Sequence, residues 1–252
     1  KVQLGELNVA PGKTMPLFIS SIPSTKNGEI TTLNFYFTLK EDKIWAEKGY
    51  LIAQDQFILA DDTNQSSLGK DSENVKLDDR KNELLLTAGK VAVSINKKSG
   101  FITSYSNNGK KLICSPLKPN FWRAPTLNGR SGILSASKHL LNITDNVIVK
   151  EIVTQDLENG ITVTSILELP VNLKDKKLSI PCTLKYHISN DGELSIEMAT
   201  EISKELPTIG NFGHVMRLGL TAETPAEFSK ISWLGRGPQE NYHDRNAGTP
   251  IG

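Results

Sequence analysis

The chain has 252 residues, 38% hydrophobic and 23% charged, and its 29 basic against 28 acidic residues leave a formal net charge of +1. That length exceeds one typical domain and allows two. The near-neutral balance excludes a field that would draw the chain to nucleic acid or to an anionic membrane, and no apolar run approaches the roughly 20 residues needed to span a bilayer. The start carries no signal-peptide pattern. Lys1 falls inside what reads as a strand and Gly252 follows directly on a polar loop, so both ends read as cuts in a longer protein. Cys114 and Cys182 lie far apart among apolar neighbours, with no ligand or CxxC spacing. They read as buried free thiols, although a disulfide between them is not ruled out, and they do not fix the redox compartment.

Residues 1 to about 60 read as short strands between turns. Val9-Ala-Pro-Gly12 and Pro23-Ser-Thr-Lys-Asn-Gly28 are turn clusters, with Met15 to Ile22 a strand candidate between them. Ile30 to Leu39 alternates and is rich in β-branched and aromatic residues, with Leu33, Phe35, Phe37 and Leu39 on one face. Tyr50 to Leu59 closes the set, and the spacing without a helical period suggests a small β-sandwich over residues 1–65. From Ala60 to Lys81 the composition turns to Asp, Asn, Ser, Lys and Glu, which marks a linker over 66–80.

The remainder, 81–252, is again β. Leu84 to Leu86, Val91 to Ile95 and Phe101 to Tyr105 are strand candidates. Asn107-Asn-Gly109 is a hairpin signal, because an asparagine-glycine pair tolerates positive φ. Further strands are expected at Val147 to Val153, Ile161 to Leu169, Leu178 to Ile188, Leu194 to Ile202, Gly213 to Leu220 and Ile231 to Leu234. Turns at Glu158-Asn-Gly160 and Asn190-Asp-Gly192 join the long ones. Successive hairpins of this length imply a large antiparallel sandwich. Ile133 to Leu141 is the best helix candidate.

Known chemical motifs are scarce. The chain has no nucleotide-binding loop, no HExxH and no GxSxG elbow. Its histidines, His139, His187, His214 and His243, are scattered without ligand spacing. Hydrolysis of a sugar bond needs two carboxylates about 5 to 10 Å apart, and no pair announces itself among the 28 acidic residues.

Two stretches stand out. In Asn120-Phe-Trp-Arg-Ala-Pro-Thr126 two aromatics and an arginine precede a proline; Phe121 and Trp122 could stack on a sugar while Arg123 binds its hydroxyls. Core packing with a buried ion pair, Arg123 to Glu240 or Asp244, is the competing reading. In Trp233-Leu-Gly-Arg-Gly-Pro-Gln-Glu-Asn-Tyr-His-Asp-Arg245 an apolar segment breaks at glycines and a proline and then presents a row of polar heads. Such a turn either presents a site or is a solvated loop of mutually paired charges.

Together the two stretches resemble the signatures of the large bacterial β-galactosidases of glycoside hydrolase family 2, in the right order and at a fitting separation. Val91-Ala-Val-Ser-Ile-Asn-Lys-Lys-Ser-Gly-Phe-Ile102 is similar to the opening of that family's C-terminal domain. Trp45-Ala-Glu-Lys-Gly-Tyr50 and Ala53-Gln-Asp-Gln-Phe57 are similar to the end of the immunoglobulin-like domain before it.

The resemblance implies an all-β chain: a small immunoglobulin-like β-sandwich, incomplete at its N-terminus, then a large antiparallel β-supersandwich of the galactose-mutarotase-like kind, truncated at its C-terminus. It also implies that both catalytic glutamates lie on a preceding TIM barrel, so no residue here is catalytic and none is a metal ligand. Candidates for the rim of the sugar site or for the structural motif are Trp122, Arg123, Asn128, Arg236, Glu240, Asn241, His243, Asp244 and Arg245. After Pro125 the chain departs from the family, with Leu127-Asn-Gly-Arg130 in place of an Asp-Asn-Asp-like run.

The implied whole enzyme hydrolyses terminal β-galactosides with retention. The resemblance gives it magnesium or sodium on the barrel and the barrel of the same chain as partner, with possible homo-oligomers. It leaves the compartment open, cytoplasmic or periplasmic in a bacterium. Two alternatives remain at this level. One is a free-standing aldose epimerase using His214, His187 and Glu240; the other is a carbohydrate-binding domain stacking sugars on Trp122 and Trp233.

Overall fold

A computed structural model describes residues 7–19, 22, 29–61, 74–125, 137–173, 176–209, 214–242 and 245–252. The regular elements are almost entirely strands, and the chain is all-β. Contacts divide it into two compact units, Lys1–Ser67 with Ser232–Gly252, and Leu68–Ile231.

In the first unit, β1 (Ile30–Thr38) and β2 (Leu51–Asp61) form an antiparallel hairpin. The alternation read from sequence sets its faces: Leu33 pairs with Phe57, Phe35 with Asp55 and Phe37 with Ala53. Phe35 and Phe57 meet edge to face, with ring centroids 5.8 Å apart, the geometry that the ring quadrupoles favour. Trp45 and Tyr50 meet the same way in the connecting loop. The strand expected at Met15 to Ile22 is not formed: Met15 to Ile19 are irregular, and Ser20 and Ser21 lie outside the described residues. An apolar run becomes a strand only where a neighbour takes up its backbone hydrogen bonds.

The second unit carries the buried core. One sheet runs β3 (Lys76–Asp79), β4 (Glu83–Ala88), β5 (Val91–Asn96), β6 (Ile102–Asn107) and β7 (Lys110–Lys111) in that order. The Asn107-Asn-Gly109 signal delivers its hairpin, with Asn108 at φ 51° and Gly109 at φ 75°.

The second sheet has the order β12 (Leu194–Thr200), β11 (Lys177–Ser189), β10 (Gly160–Asn172) and β9 (Ile148–Leu157). Along β10 and β11 every second residue points inward, and the register pairs Ile161 with Ile188, Val163 with Tyr186, Leu167 with Cys182 and Leu169 with Ile180. These side chains share one core with Leu84, Leu86, Val93 and Ile95 of the other sheet. Each such burial contributes roughly 1.5–3 kcal/mol. The layers are therefore held by two stacked apolar faces, as in a sandwich.

A third, small sheet pairs β8 (Lys118–Asn120) with β13 (Gly219–Thr221). Of the strand expected from Gly213 to Leu220, Gly213 lies outside the described residues and the rest is strand only at its end, in β13 (Gly219–Thr221), while Ile231 to Leu234 is irregular. In place of a helix over Ile133 to Leu141 there is a 3-10 turn at Lys138–Leu140, and 133–136 lie outside the described residues.

Candidate functional site: a cleft beside a short strand pair and a signature loop

The β8–β13 pair builds the first site. Antiparallel pairing runs from Lys118 opposite Thr221 to Asn120 opposite Gly219, and continues past the strand ends where the Arg217 N–H donates to the Phe121 carbonyl at 3.3 Å. The side chain of Asn120 turns back, its Oδ1 accepting the Trp122 N–H at 3.0 Å. The Trp122 indole is fixed in turn, its Nε1–H donating to Ser137 Oγ at 3.1 Å. A cleft of about 560 Å³ opens beside this edge. Phe121, Leu140 and Ile143 form its apolar floor, and Lys118, Trp122, Arg123 and Arg217 line it.

Of the two aromatics read as stacking platforms, only Trp122 remains partly exposed. Phe121 is fully buried and belongs to the core. Arg123 donates from Nη1 to the Ala124 carbonyl at 3.3 Å. Asn128 lies outside the described residues.

The second site is the signature loop in the first unit. The Gly237-Pro238 bond is cis. The Trp233 indole, 62% exposed, lies over the two glycines that follow it: a Cβ on Gly237 would stand 3.4 Å from its Cζ2. Arg236 donates from Nη1 to the carbonyls of Asn246 at 3.1 Å and Thr249 at 2.8 Å, and its backbone forms a bridge with Ile251. Arg236 thus ties the loop to the segment after it. Asn241 reaches the Arg236 carbonyl at 3.4 Å, a marginal hydrogen bond. Arg245 stands 3.9 Å from Glu240, both well exposed, so this pair contributes little. His243 and Asp244 lie outside the described residues.

The remaining polar candidates have structural partners. His214 Nδ1 lies 2.7 Å from the Leu206 carbonyl and donates to it. His187 Nδ1 lies 3.0 Å from Thr162 Oγ1, its neighbour across β10 and β11. Each ring is oriented by its fold, and neither meets a carboxylate among the described residues of that unit. Burial pushes the Cys182 thiol up to about 11 and the Tyr186 hydroxyl higher still. Among the described residues the carboxyls of Glu41 and Asp191 are held below the usual range by hydrogen bonds from Lys43 and Ser189. Among the described residues no group of three or more His, Cys, Asp or Glu could hold a metal ion.

Sequence reasoning passed over Lys118 and Arg217 in the cleft, and Gln56, which hydrogen-bonds the backbone of Ile251. The Lys118 signal is its place two residues before the aromatic motif. Arg217 becomes visible only through strand pairing.

Two family models cover the chain. The one described as beta galactosidase small chain matches residues 87–252, and the one described as beta-galactosidase, domain 4 matches residues 1–60. The chain is 28% identical over 248 residues to a beta-galactosidase of Priestia megaterium, covering 97% of this chain and 23% of that protein. It is 28% identical to one of Psychromonas ingrahamii, with 95% and 24% covered, and 24% identical to one of Vibrio cholerae, with 98% and 24% covered. The chain thus spans about a quarter of the length of the curated relatives it matches. With the small-chain model running over most of its length and the preceding domain matched as well, the chain belongs to the beta-galactosidase small chain family.

Proposed function

We propose that this chain is the non-catalytic C-terminal part of a β-galactosidase. Its β-units brace the barrel of the same protein and shape the rim of the carbohydrate site. The observation carrying this reading is that two non-overlapping family models, a domain 4 and a small chain, account for nearly the whole sequence while it spans about a quarter of its relatives. The chemistry agrees, since glycoside hydrolysis asks for one carboxyl held protonated near neutral pH beside a second that stays ionised. Among the described residues the carboxyls with displaced titration, exposed Glu41 and partly buried Asp191, are shifted downward.

In the whole enzyme the reaction is hydrolysis of terminal β-galactosides, with the two carboxylates supplied by the barrel. Magnesium or sodium, where used, binds there too, and no step is assigned to an ion on this chain. The test is hydrolysis of a nitrophenyl β-galactoside by the purified chain. No turnover above buffer is expected, and turnover that survives repurification overturns the reading.

A further inference from the structure

We propose that Asn108 is a site of spontaneous covalent modification, deamidating through a cyclic imide to aspartate and isoaspartate, while the fold protects the chemically equivalent Asn159. Asn-Gly pairs stand at 27–28, 108–109, 128–129 and 159–160, and those at 108–109 and 159–160 lie among the described residues. Such a pair is reactive because glycine has no Cβ to keep its backbone nitrogen from the asparagine side chain. That nitrogen loses its proton to base and attacks Cγ. The N–Cγ bond forms as the Cγ–Nδ2 bond breaks, and ammonia leaves. Water then opens the imide. Hydrolysis of the new N–Cγ bond leaves aspartate, and hydrolysis of the old main-chain bond leaves isoaspartate, with the chain rerouted through Cγ. Water is the only co-reactant.

Ring closure requires the peptide that carries the glycine nitrogen to turn toward the side chain. The fold leaves one such peptide free and pins the other. Asn108 and Gly109 form the loop between the paired Asn107 and Lys110, and both are exposed. The Asn108 N–H donates to the Lys90 carbonyl at 2.8 Å, which anchors the residue on its N-terminal side. On the other side, among the described residues, no hydrogen bond holds the Asn108 carbonyl or the Gly109 N–H. Beyond its chain neighbours, no heavy atom lies within 4 Å of the place a Gly109 Cβ would take. Asn159 is exposed too, but Gly160 is buried and already belongs to β10, paired with Leu157 on one side and Ser189 on the other. The Asn159 carbonyl accepts the Asn190 N–H at 2.9 Å, and the Glu158 carbonyl accepts from Asn190 Nδ2 at 3.1 Å. The Asn159 carbonyl and the Gly160 nitrogen share one planar peptide, so the bond from Asn190 stops that nitrogen from turning.

The product alters its surroundings. Lys110 stands 3.2 Å from Glu227 and 4.6 Å from the centroid of the Phe228 ring. A carboxylate at position 108 competes with Glu227 for Lys110. Isoaspartate also lengthens the backbone of a loop whose twist has to match its flanking strands, so it loosens β7.

The test is peptide mapping by mass spectrometry on the chain kept warm at mildly alkaline pH and sampled over time. The peptide holding Asn108 should gain about 1 Da and resolve into two isomers, several-fold faster than the peptide holding Asn159. In urea the two should react at similar rates, because the unfolded chain offers the same pair at both places. In the modified chain, exchange of the Leu112 N–H, which donates to the Tyr105 carbonyl at 2.8 Å, should quicken. Equal rates at the two asparagines in the native chain overturn the proposal, as does an Asn108 that stays intact while the chain in urea reacts. A difference that persists unchanged in urea overturns it too, since flanking sequence and not the fold would then set the rate. Unchanged exchange at Leu112 overturns the loosening of β7. Hydrolysis of nitrophenyl galactosides enters none of these outcomes, so the proposed function stands or falls separately.

Discussion

Gln56 pairs its side-chain amide with the backbone of Ile251 in both directions. Oε1 accepts the Ile251 N–H at 2.7 Å, and Nε2 donates to the Ile251 carbonyl at 2.9 Å and to Asn34 Oδ1 at 2.8 Å. A side-chain amide here does what a neighbouring strand would do. Gln56→Ala removes both bonds to the C-terminal segment, each with a net value of about 1 kcal/mol. A loss of about 2 kcal/mol is expected in the local opening of that segment. Amide exchange at Ile251 reads it directly: faster exchange is predicted there, with the core amides of β10 and β11 unchanged.

Tyr186 makes the corresponding link inside the second unit, its buried hydroxyl donating to the Gly100 carbonyl at 3.0 Å. Tyr186→Phe keeps the ring and leaves that carbonyl without its partner, a cost of about 1–3 kcal/mol. Urea unfolding should show the midpoint fall with the slope unchanged. A variant as stable as the parent would mean that the carbonyl finds another donor.

The same residues set an alkaline limit. Burial raises Cys182 from an ordinary 9.0 to about 11 and raises Tyr186 from 10.0. Both groups therefore stay protonated in the folded state at pH values where the unfolded chain ionises. Their stabilising contribution is complete below pH 9 and is lost as pH rises through the folded-state values. The melting temperature should fall from about pH 9 toward pH 11 and fall less steeply in Tyr186→Phe, which scanning calorimetry across that range would check.

Thiol labelling separates the two cysteines. Cys114 is exposed and Cys182 is buried, and both are free. An aromatic disulfide reagent at pH 8 should titrate one thiol quickly in the native chain and both in guanidinium, because a buried, protonated thiol is a poor nucleophile. Protection of Cys114 in the native chain would contradict its exposure.

Gly160 opens β10 at φ 149°, and a Cβ there would stand 2.1 Å from the Ile188 carbonyl oxygen. Gly160→Ala forces the β10–β11 ladder apart at its end, and a loss of about 3 kcal/mol or more is expected from strain and overlap together. Chemical denaturation would measure it. The neighbouring Asn159→Ala, which leaves Gly160 in place, serves as the control.

Much of the second unit was legible in the sequence because its strands are long, alternate with period two and are joined by Asn-Gly and Asp-Gly turns. Those signals are local. The failures are equally physical. Met15 to Ile22 and Ile231 to Leu234 are apolar runs whose described residues have no strand partner, so composition alone overstated them. Phe121 and Trp122 look alike as bulky aromatics in the sequence, and only the structure shows that the first is fully buried at the floor of the cleft while the second stays partly exposed. The Gln56 contact spans 195 residues, beyond the reach of any window of local pattern. The signature loop could be recognised as a motif, but the partners of Arg236 are backbone carbonyls, which carry no mark in a sequence.

The membership of Ser232–Gly252 in the first unit constrains the order of events during synthesis. Strands β1 and β2 leave the ribosome before the second unit, but Gln56 must wait for Ile251 before its contact with that backbone can form. At roughly 5–20 residues per second that delay is on the order of ten seconds or more. The core of the second unit has emerged by then, so the hairpin of β1 and β2 is made before that core and completed after it.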